Sequence, residues 1–226
     1  MYTIMDIRAL VSQLNEYCDA YYNRNESLIT DKEYDLLFDR LVEMEKETGI
    51  VLSNSPTVRV GYKVASDLPE VTHAFPPMLS LDKSKELKDM KKFLGTKPAL
   101  VMAKMDGLTI RVTYRDGKVW RAETRGDGEV GEDVTHNISV VKDVPLQLPV
   151  KDEIVVDGEV IVTRDNFARL REKFVDNKGK KYKNARNFAA GSIRLHDSQK
   201  AAERCLQFVA WKFVKGSEYR HFSSRL

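Results

Sequence analysis

The strongest constraint on the fold is a stretch of alternating apolar and polar residues, LTIRVTYR at positions 108–115. This period of two is typical of a strand that has one face in the core and the other towards solvent. Asp116-Gly117 comes next, a pair that favours a two-residue hairpin turn, and KVWRAETR then supplies a returning strand. The sequence therefore predicts a half-buried antiparallel hairpin.

Two amphipathic helices are expected before this hairpin. The first spans residues 6–23, because its apolar residues fall at three- and four-residue spacing. The second begins after Thr30, which forms a capping-box pattern with Glu33, and stops at Gly49. Its apolar stripe consists of Tyr34, Leu37, Leu41 and Met44. A loop rich in Pro, Ser, Asn and Gly follows at about 50–70 and is the best candidate for a domain boundary.

Beyond the hairpin the patterns remain mixed. GDGEVGED predicts a second glycine-rich turn, EIVVDGEVIV an apolar strand and QFVAWKFV a last strand. The spacing of Phe167, Leu170 and Phe174 predicts a helix between those two strands. The fold class is therefore α+β, with helices first and a mostly antiparallel core after them. We place the domains at 1–68 and 69–226.

Composition narrows the class of protein without identifying it. The chain has 226 residues, 42% of them hydrophobic and 31% charged, and a formal net charge of +3. These values fit a globular protein and are too balanced to indicate nucleic-acid binding by themselves. Cys18 and Cys205 are too few for a structural zinc site, so none is expected. No signal peptide or membrane span is apparent, and a reducing, cytoplasmic setting is expected.

Lys104 lies in VMAKMDG at 101–107, beside Asp106 and Gly107. An isolated K-x-D-G pattern is usually a surface lysine before a turn. The alternative is a covalent nucleophile, held rigidly at the end of a strand, that attacks a nucleotide α-phosphate to form lysyl-AMP. Such an amine reacts only when neutral, which requires desolvation or nearby positive charge. Asp106 would then orient ribose or lysine, and Gly107 would let a ligand approach the backbone.

Four charged residues further along could support that chemistry, and each has an ordinary interpretation as well. Arg125 precedes the glycine turns, which by themselves are only turns. Glu159 falls within an apolar strand, where it either faces solvent or accepts a ribose hydroxyl or helps to hold a metal ion. Arg186 and Arg194 flank the small residues of NARNFAAGSIR, which fit either a tightly packed helix or the close approach of a substrate.

Taken in order, these segments resemble the N-terminal part of the bacterial NAD-dependent DNA ligases. The matching stretches are YYNRNESLITDKEYDLLFDRL, SNSPTVRVG, HAFPPMLSLD, AKMDGL, ETRGDGEVGEDVTHNI, DGEVIV, NARNFAAGSIR and QFVAWKF. The K-x-D-G element alone is weak, but the long glycine-rich and arginine-rich stretches together are highly specific. The resemblance implies a small helical NMN-binding module followed by an ATP-grasp-like nucleotidyltransferase core, incomplete at its C-terminus.

The resemblance also implies a role for each candidate residue. Lys104 matches the adenylated lysine, and Asp106 belongs to the same motif. Glu159 matches a carboxylate that contacts the ribose and supports Mg²⁺-assisted transfer. The remaining matches are Arg125, which contacts the nucleotide, and Arg186 and Arg194, which meet phosphate or DNA.

The implied cofactor is NAD, because the helical module is what separates NAD users from ATP users in the wider superfamily. Ser80, Leu81 and Asp82 match a loop beside the adenine, and Trp211 stands where an aromatic residue stacks on it. Tyr21, Tyr22, Asp31, Tyr34 and Asp35 match residues that hold the nicotinamide mononucleotide half. Periodicity alone favours core packing for these tyrosines, and the resemblance reverses that preference.

The chain departs from the family pattern in two ways. Met102 stands where the family usually has a glutamate that reads the adenine amino group, so looser base discrimination is expected. The family's core also continues beyond the last residue of this chain, into motifs with phosphate-binding lysines. We therefore expect either one subunit of a split ligase, favoured slightly, or a shortened form of a longer protein, with nicked DNA as substrate.

Three functions are compatible with these residues. The first is adenylation of Lys104 by NAD, followed by transfer of AMP to the 5′-phosphate at a DNA nick. The second is a non-catalytic NAD-binding or assembly subunit, which the intact set of Lys104, Asp106, Arg125 and Glu159 disfavours. The third is an ATP-dependent RNA ligase or capping enzyme, which the tyrosine-rich helical module disfavours.

Overall fold

The first two helices, α1 (Ile4–Asn23) and α2 (Asp31–Thr48), form the helical pair that the sequence predicts. Each begins with a complete capping box, Thr3 with Asp6 in α1 and Thr30 with Glu33 in α2. α2 stops at Gly49, whose φ of 69° is left-handed. The pair is held together by a shared apolar cluster, which contains Ile7, Leu10, Val11, Leu14, Leu41 and Met44.

The computed structural model describes residues 2–24, 26–58, 67–79, 84, 86–96, 99, 101–176 and 178–216. Its strands are β1 (Glu70–Thr72), β2 (Leu108–Arg115), β3 (Lys118–Thr124), β4 (Val130–Glu132), β5 (Ile154–Ile161) and β6 (Gln207–Lys215). Its remaining helices are α3 (Leu87–Leu94), α4 (Thr135–Ile138), α5 (Arg164–Leu170), α6 (Ala185–Ile193) and α7 (Ser198–Ala202). The α+β prediction is confirmed.

The main sheet is antiparallel, with strand order β3-β2-β5-β6. The predicted hairpin turn joins β2 to β3, with positive φ at both Asp116 (51°) and Gly117 (74°). One face of the sheet carries the main core, in which Ile110 and Val160 pack against Ala189 and Ile193 of α6. This packing fixes α6 against the sheet, near the start of β2 and the end of β5.

The half-buried prediction is wrong for residues 110–114 of β2, because the second face of the sheet is covered there as well. Arg111 is 0% exposed and Thr113 3% exposed, although both alternate with the apolar residues of β2. The chain that follows β1 crosses this face, and the Arg111 guanidinium donates to the Pro76 carbonyl at 3.0 Å. The alternation of apolar and polar residues assigned the two faces of β2 correctly, but such a pattern cannot show that a loop covers the polar face.

Some local predictions also need correction. The second glycine-rich turn is shorter than predicted, because residues 130–132 form β4 and pair with β1 in a two-stranded sheet. The helix predicted through Phe174 ends at Leu170, and Phe174 instead packs beside Phe188. The sequence interpretation did not anticipate α3, α4 and α7. The last strand predicted at QFVAWKFV is present as β6, at one edge of the main sheet.

The helical pair contacts the core through α6 and the loop before it. Asn184 donates to the Tyr21 hydroxyl at 3.4 Å, and Asn187 donates to the Tyr21 carbonyl at 3.4 Å. Lys180 forms an ion pair with Glu26 at 2.7 Å. None of the helices in the described part of the chain is long and apolar enough to cross a membrane.

Candidate active site

Lys104 lies ahead of β2 in a segment, residues 101–106, that belongs to no helix or strand. The expectation that a strand end holds it is therefore wrong, and its side chain is exposed. The segment first contacts the sheet closely at Gly107, where an added Cβ atom would lie 2.1 Å from the Val160 carbonyl oxygen. Only glycine allows the backbone to approach β5 this closely, so the lysine-bearing segment is anchored three residues after Lys104.

Glu159 of β5 accepts two hydrogen bonds that join it to this segment. The Gly107 amide donates to Oε1 at 3.3 Å, and the Thr109 hydroxyl donates to Oε2 at 3.0 Å. Burial raises the pKa of the Glu159 carboxyl, although the Thr109 hydrogen bond and the nearby charges of Arg186 and Arg125 oppose that shift. Glu159 thus does not simply face open solvent, and its predicted role towards a ribose hydroxyl or a metal ion stays a prediction.

Asp106 and Arg186 form an ion pair of 3.3 Å between the lysine segment and α6. The Asp106 side chain is 71% exposed and that of Arg186 27%, so the pair lies at the rim of the site. Arg186 occupies the first turn of α6, behind the N-cap Asn184, and its guanidinium carbon lies 5.9 Å from the Tyr21 ring centroid. Arg186 therefore stands between the helical pair and the lysine segment.

Arg125 is partly buried and follows directly after β3. Its amide donates to the Thr109 carbonyl at 3.0 Å, which extends the β2–β3 pairing by one residue. Arg125, Thr109 and Glu159 consequently lie in one row across three strands, next to Gly107. The structure brings together Asp106, Arg125, Glu159 and Arg186 around the segment that carries Lys104.

Arg194 is placed elsewhere. It caps the opposite end of α6, donates to Glu132 at 2.6 Å and to the Ala190 carbonyl at 3.1 Å, and its side chain is 12% exposed. Both partners belong to the protein itself, so Arg194 holds α6 to β4. Its predicted contact with phosphate or DNA stays a prediction.

The predicted residues of the helical pair lie on α1 and on the first turns of α2. Asp31 and Asp35 are exposed, whereas Tyr34 is partly buried, stacks on Phe38 and lies 3.2 Å from Cys18 Sγ through its hydroxyl. Tyr21 faces the core module, as described above. The Tyr22 side chain and residues 80–83, which include Ser80, Leu81 and Asp82, lie outside the described residues.

Trp211 is partly buried in β6 at an irregularity of the sheet. Ala210 pairs with Gly158 and Lys212 pairs with Asp157, which leaves Trp211 as the extra residue of a β-bulge. Bulges are frequent beside active sites because they redirect a side chain. The predicted stacking of Trp211 on adenine stays a prediction.

Sequence reasoning missed the polar residues that lie behind the site. Arg111 donates to both oxygens of Asp157, at 2.7 and 3.0 Å, and His73 contacts both Glu123 and the Arg125 carbonyl. The alternation in β2 did mark Arg111 as facing away from the apolar core. No local signal at Asp157 or His73 could have indicated their partners, which lie 46 and 50 residues away.

The described residues hold no group of three or more His, Cys, Asp or Glu side chains that could bind a metal ion. Mg²⁺ is typically held by one or two carboxylates together with substrate phosphates and water. Asp106 and Glu159 are two carboxylates on either side of Gly107, so the residues present fit that manner of binding.

An antiparallel α+β core in which two carboxylates and two arginines surround a lysine-bearing segment is the arrangement of a lysine-dependent nucleotidyltransferase. The family comparison makes this specific: the NAD-dependent DNA ligase adenylation domain matches residues 65–225, and the DNA ligase-like N-terminal NAD+-binding domain matches residues 3–61. The chain therefore belongs to the NAD-dependent DNA ligase family, and the resemblance drawn from its motifs is confirmed.

Curated relatives support the same assignment. The DNA ligase of Ruminiclostridium cellulolyticum is 41% identical over 212 residues, which cover 94% of this chain and 32% of that protein. The DNA ligase of Lachnoclostridium phytofermentans is 40% identical over 220 residues, covering 97% of this chain and 33% of that protein. This chain thus spans about a third of the length of these relatives.

Proposed function

We propose that this chain carries out the first step of NAD-dependent DNA ligation. The amine of Lys104, in its neutral form, attacks the α-phosphorus of the adenylyl half of NAD. A P–N bond forms, the P–O bond to nicotinamide mononucleotide breaks, and that product leaves with the bridging oxygen while Nζ gives up a proton. The observation that carries the proposal is the convergence of Asp106, Glu159, Arg125 and Arg186 beside the lysine segment.

The positions of these groups suggest their roles. Glu159, a partly buried carboxylate held by Gly107 and Thr109, is suited to accept a ribose hydroxyl. Arg125 and Arg186 supply positive charge for the phosphates, because phosphoryl transfer depends on neutralising developing negative charge. Asp106 and Glu159 would hold Mg²⁺ together with the nucleotide phosphates, and the bound ion would polarise the α-phosphate.

Recognition of the nicotinamide mononucleotide half is assigned to Tyr21, Tyr22, Asp31, Tyr34 and Asp35. A positively charged pyridinium ring suits the faces of tyrosine rings and the charge of aspartates. The adenine would lie between Trp211 and the loop at Ser80 and Leu81. We divide the chain at 1–68 and 69–226 on this basis, the first part reading the mononucleotide and the second performing the transfer.

The later steps are assigned to groups beyond this chain. AMP would pass from Lys104 to the 5′-phosphate of nicked DNA in the cytoplasm, with phosphate contacts from Arg186 and Arg194 and no sequence preference. The relatives are about three times as long as this chain, so a further part of the same protein or a second subunit would complete nick sealing.

The decisive experiment is intact-mass measurement after incubation with NAD and Mg²⁺, with Lys104→Ala and Lys104→Arg beside the wild type. Lys118→Ala, which changes an exposed lysine at the start of β3, at the turn end of the hairpin, is the matched control. An AMP adduct on the wild type and the control, absent from both Lys104 variants, is expected. NAD binding without an adduct would replace the proposal with the non-catalytic function, and labelling by ATP in place of NAD would point to an ATP-dependent enzyme.

A further inference from the structure

His73 is a buried histidine whose ring contacts two acceptor groups. Its side chain is 1% exposed. Nδ1 lies 2.9 Å from Oε1 of Glu123, and Nε2 lies 3.1 Å from the backbone oxygen of Arg125. The ring therefore bridges the last part of β3 and the residue that follows it.

The two contacts set a requirement on the ring protons. A carbonyl oxygen can only accept a hydrogen bond, so Nε2 must carry a proton. If Glu123 is ionised, it too only accepts, and a hydrogen bond from Nδ1 then needs a second ring proton, which only the imidazolium form carries. A buried charge of this kind is stabilised when it is paired and hydrogen-bonded, as His73 is by Glu123.

The surrounding backbone fits this ring closely. The His73 amide donates to the Glu129 carbonyl at 2.9 Å, directly after the β1–β4 pairing. A Cβ atom on Gly131 would lie 2.9 Å from His73 Cε1, so the glycine leaves the space that the ring occupies. The two-stranded sheet thus forms a specific site for the His73 ring.

Glu123 belongs to a row of charged residues that runs across the covered face of the sheet. It pairs in register with Arg111, which pairs with Asp157, which in turn pairs with Lys212. The neighbouring row contains Arg125, Thr109 and Glu159. The Arg125 amide is fixed by Thr109 and its carbonyl by His73, so hydrogen bonds hold the residue on both sides.

We propose that His73 is a positioning residue, which donates from both ring nitrogens and sets the backbone of Arg125 so that its guanidinium meets the nucleotide. This inference rests on the proposed function for the role of Arg125, and the double donation rests on the two ring distances together with an ionised Glu123. The test therefore has two arms, of which the first does not depend on NAD.

The first arm is NMR of the free wild-type protein at neutral pH, observing one-bond ¹H–¹⁵N correlations of the histidine rings. His73→Gln assigns the signals by their loss, and the exposed His196, paired with Asp67, is the internal comparison. Two ring N–H signals from His73, protected from exchange with water, are expected. A single protonated ring nitrogen would overturn the proposal.

The second arm separates the two hydrogen bonds by substitution. The side-chain amide nitrogen of Asn is separated from Cβ by the same number of bonds as Nδ1 of His. The amide nitrogen of Gln is separated from Cβ by the same number of bonds as Nε2 of His. His73→Gln therefore keeps a donor for the Arg125 carbonyl, and His73→Asn keeps one for Glu123. The equilibrium Kd for NAD is measured for both, with His196→Gln as control, and thermal unfolding reports the structural cost of each substitution.

We expect His73→Asn to raise the Kd for NAD about 5–10-fold, the effect of losing one hydrogen bond, and His73→Gln to stay within about threefold of the wild type. Thermal stability should fall in both variants. Equal affinities in the two variants would overturn the positioning role. Failure of the wild type to bind NAD would instead refute the proposed function, with the NMR result still deciding the double donation.

Discussion

Arg111 and Asp157 form a buried, doubly hydrogen-bonded ion pair across adjacent strands. Nε of Arg111 lies 2.7 Å from one carboxylate oxygen and an Nη atom lies 3.0 Å from the other, while the two side chains are 0% and 1% exposed. The pair lies one row behind Thr109 and Glu159 in the same sheet. The registration of β2 with β5, on which the site depends, is therefore fixed by charge as well as by backbone hydrogen bonds.

Arg111→Met should destabilise the protein by about 3–5 kcal/mol, because it leaves Asp157 as an uncompensated buried charge. Urea unfolding followed by circular dichroism measures the change. Arg171→Met, which removes an exposed partner of Glu172, is the control and should change little. The double variant Arg111→Met/Asp157→Leu should recover most of the loss, and failure to recover would mean that the ion pair itself stabilises the fold.

Glu159→Gln should increase stability at neutral pH while lowering adenylation about 100-fold or more, because it would weaken the hold on Mg²⁺, whose stabilisation of the transition state is worth several kcal/mol. Burial raises the pKa of Glu159 above its ordinary value of 4.5, so the folded state binds more protons than the unfolded state. Stability then falls as pH rises from about that value through the folded pKa. Gln cannot ionise, so the variant does not lose stability in this way.

The measurement is thermal unfolding of Glu159→Gln and wild type between pH 4 and pH 7, beside adduct formation. The difference in Tm should be small at the acidic end, where both states of the wild type are protonated, and should grow towards neutral pH. Gln can still accept from the Gly107 amide and donate to the Thr109 hydroxyl. A Tm difference that is independent of pH would contradict the assigned cause.

Gly107→Ala should disrupt the lysine segment, because the new Cβ would collide with the Val160 carbonyl oxygen at 2.1 Å. Gly179→Ala is the matched control: its φ of +74° carries conformational strain, but nothing lies within 4 Å of its Cβ position. The control should lose about 1 kcal/mol or less of stability and keep adenylation. Gly107→Ala should lose more of both, and equal behaviour of the two would show that steric contact with β5 is unimportant.

Asp106→Asn and Arg186→Lys should each lower adenylation at least about tenfold with almost no effect on stability. The ion pair between them lies at the rim, where such pairs contribute below about 1 kcal/mol. Adduct formation and Tm are compared with those of a Lys173→Gln variant, which removes the exposed pair with Glu203. A large fall in Tm with unchanged labelling would assign the Asp106–Arg186 pair to folding rather than to the reaction.

Met102→Glu should sharpen discrimination between adenine and hypoxanthine. Met102 is 43% exposed, two residues before Lys104, and a thioether is a poor acceptor for an exocyclic amino group. Adenylation is compared with NAD and with its hypoxanthine analogue, for the wild type and the variant. The preference for NAD should rise about 5–10-fold, the effect of one added hydrogen bond. An unchanged ratio would assign base recognition to other groups.

Much of the fold could be predicted because its signals are local. The capping box at Thr30, the positive-φ turn at Asp116-Gly117 and the apolar alternation in β2 each depend on residues a few positions apart. The structure contains the predicted cap, the predicted turn and a strand at the alternating residues. The pairing of β1 with β4 was missed because three-residue strands carry almost no periodic signal, and their stability comes from the partner strand.

The site was predictable only as a set of residues. The motifs identified Lys104, Asp106, Arg125, Glu159 and Arg186, and the structure brings the last four together. Their supports could not be predicted, because a sequence gives no register between β2 and β5 and therefore cannot place Asp157 beside Arg111. Arg194 shows that a motif alone does not place a side chain. The motif implied a contact with phosphate, but the guanidinium lies against Glu132, 62 residues away.

The Asp106–Arg186 contact, which closes the site across 80 residues of chain, also constrains the order in which the protein can acquire function during synthesis. At about 5–20 residues per second, Asp106 is made about 4–16 s before its partner. The helical pair and the β2–β3 hairpin, whose contacts are local, can form in that interval, but α6 is still absent. A nascent chain therefore presents Lys104 and Asp106 several seconds before Arg186, the partner from α6, has been made.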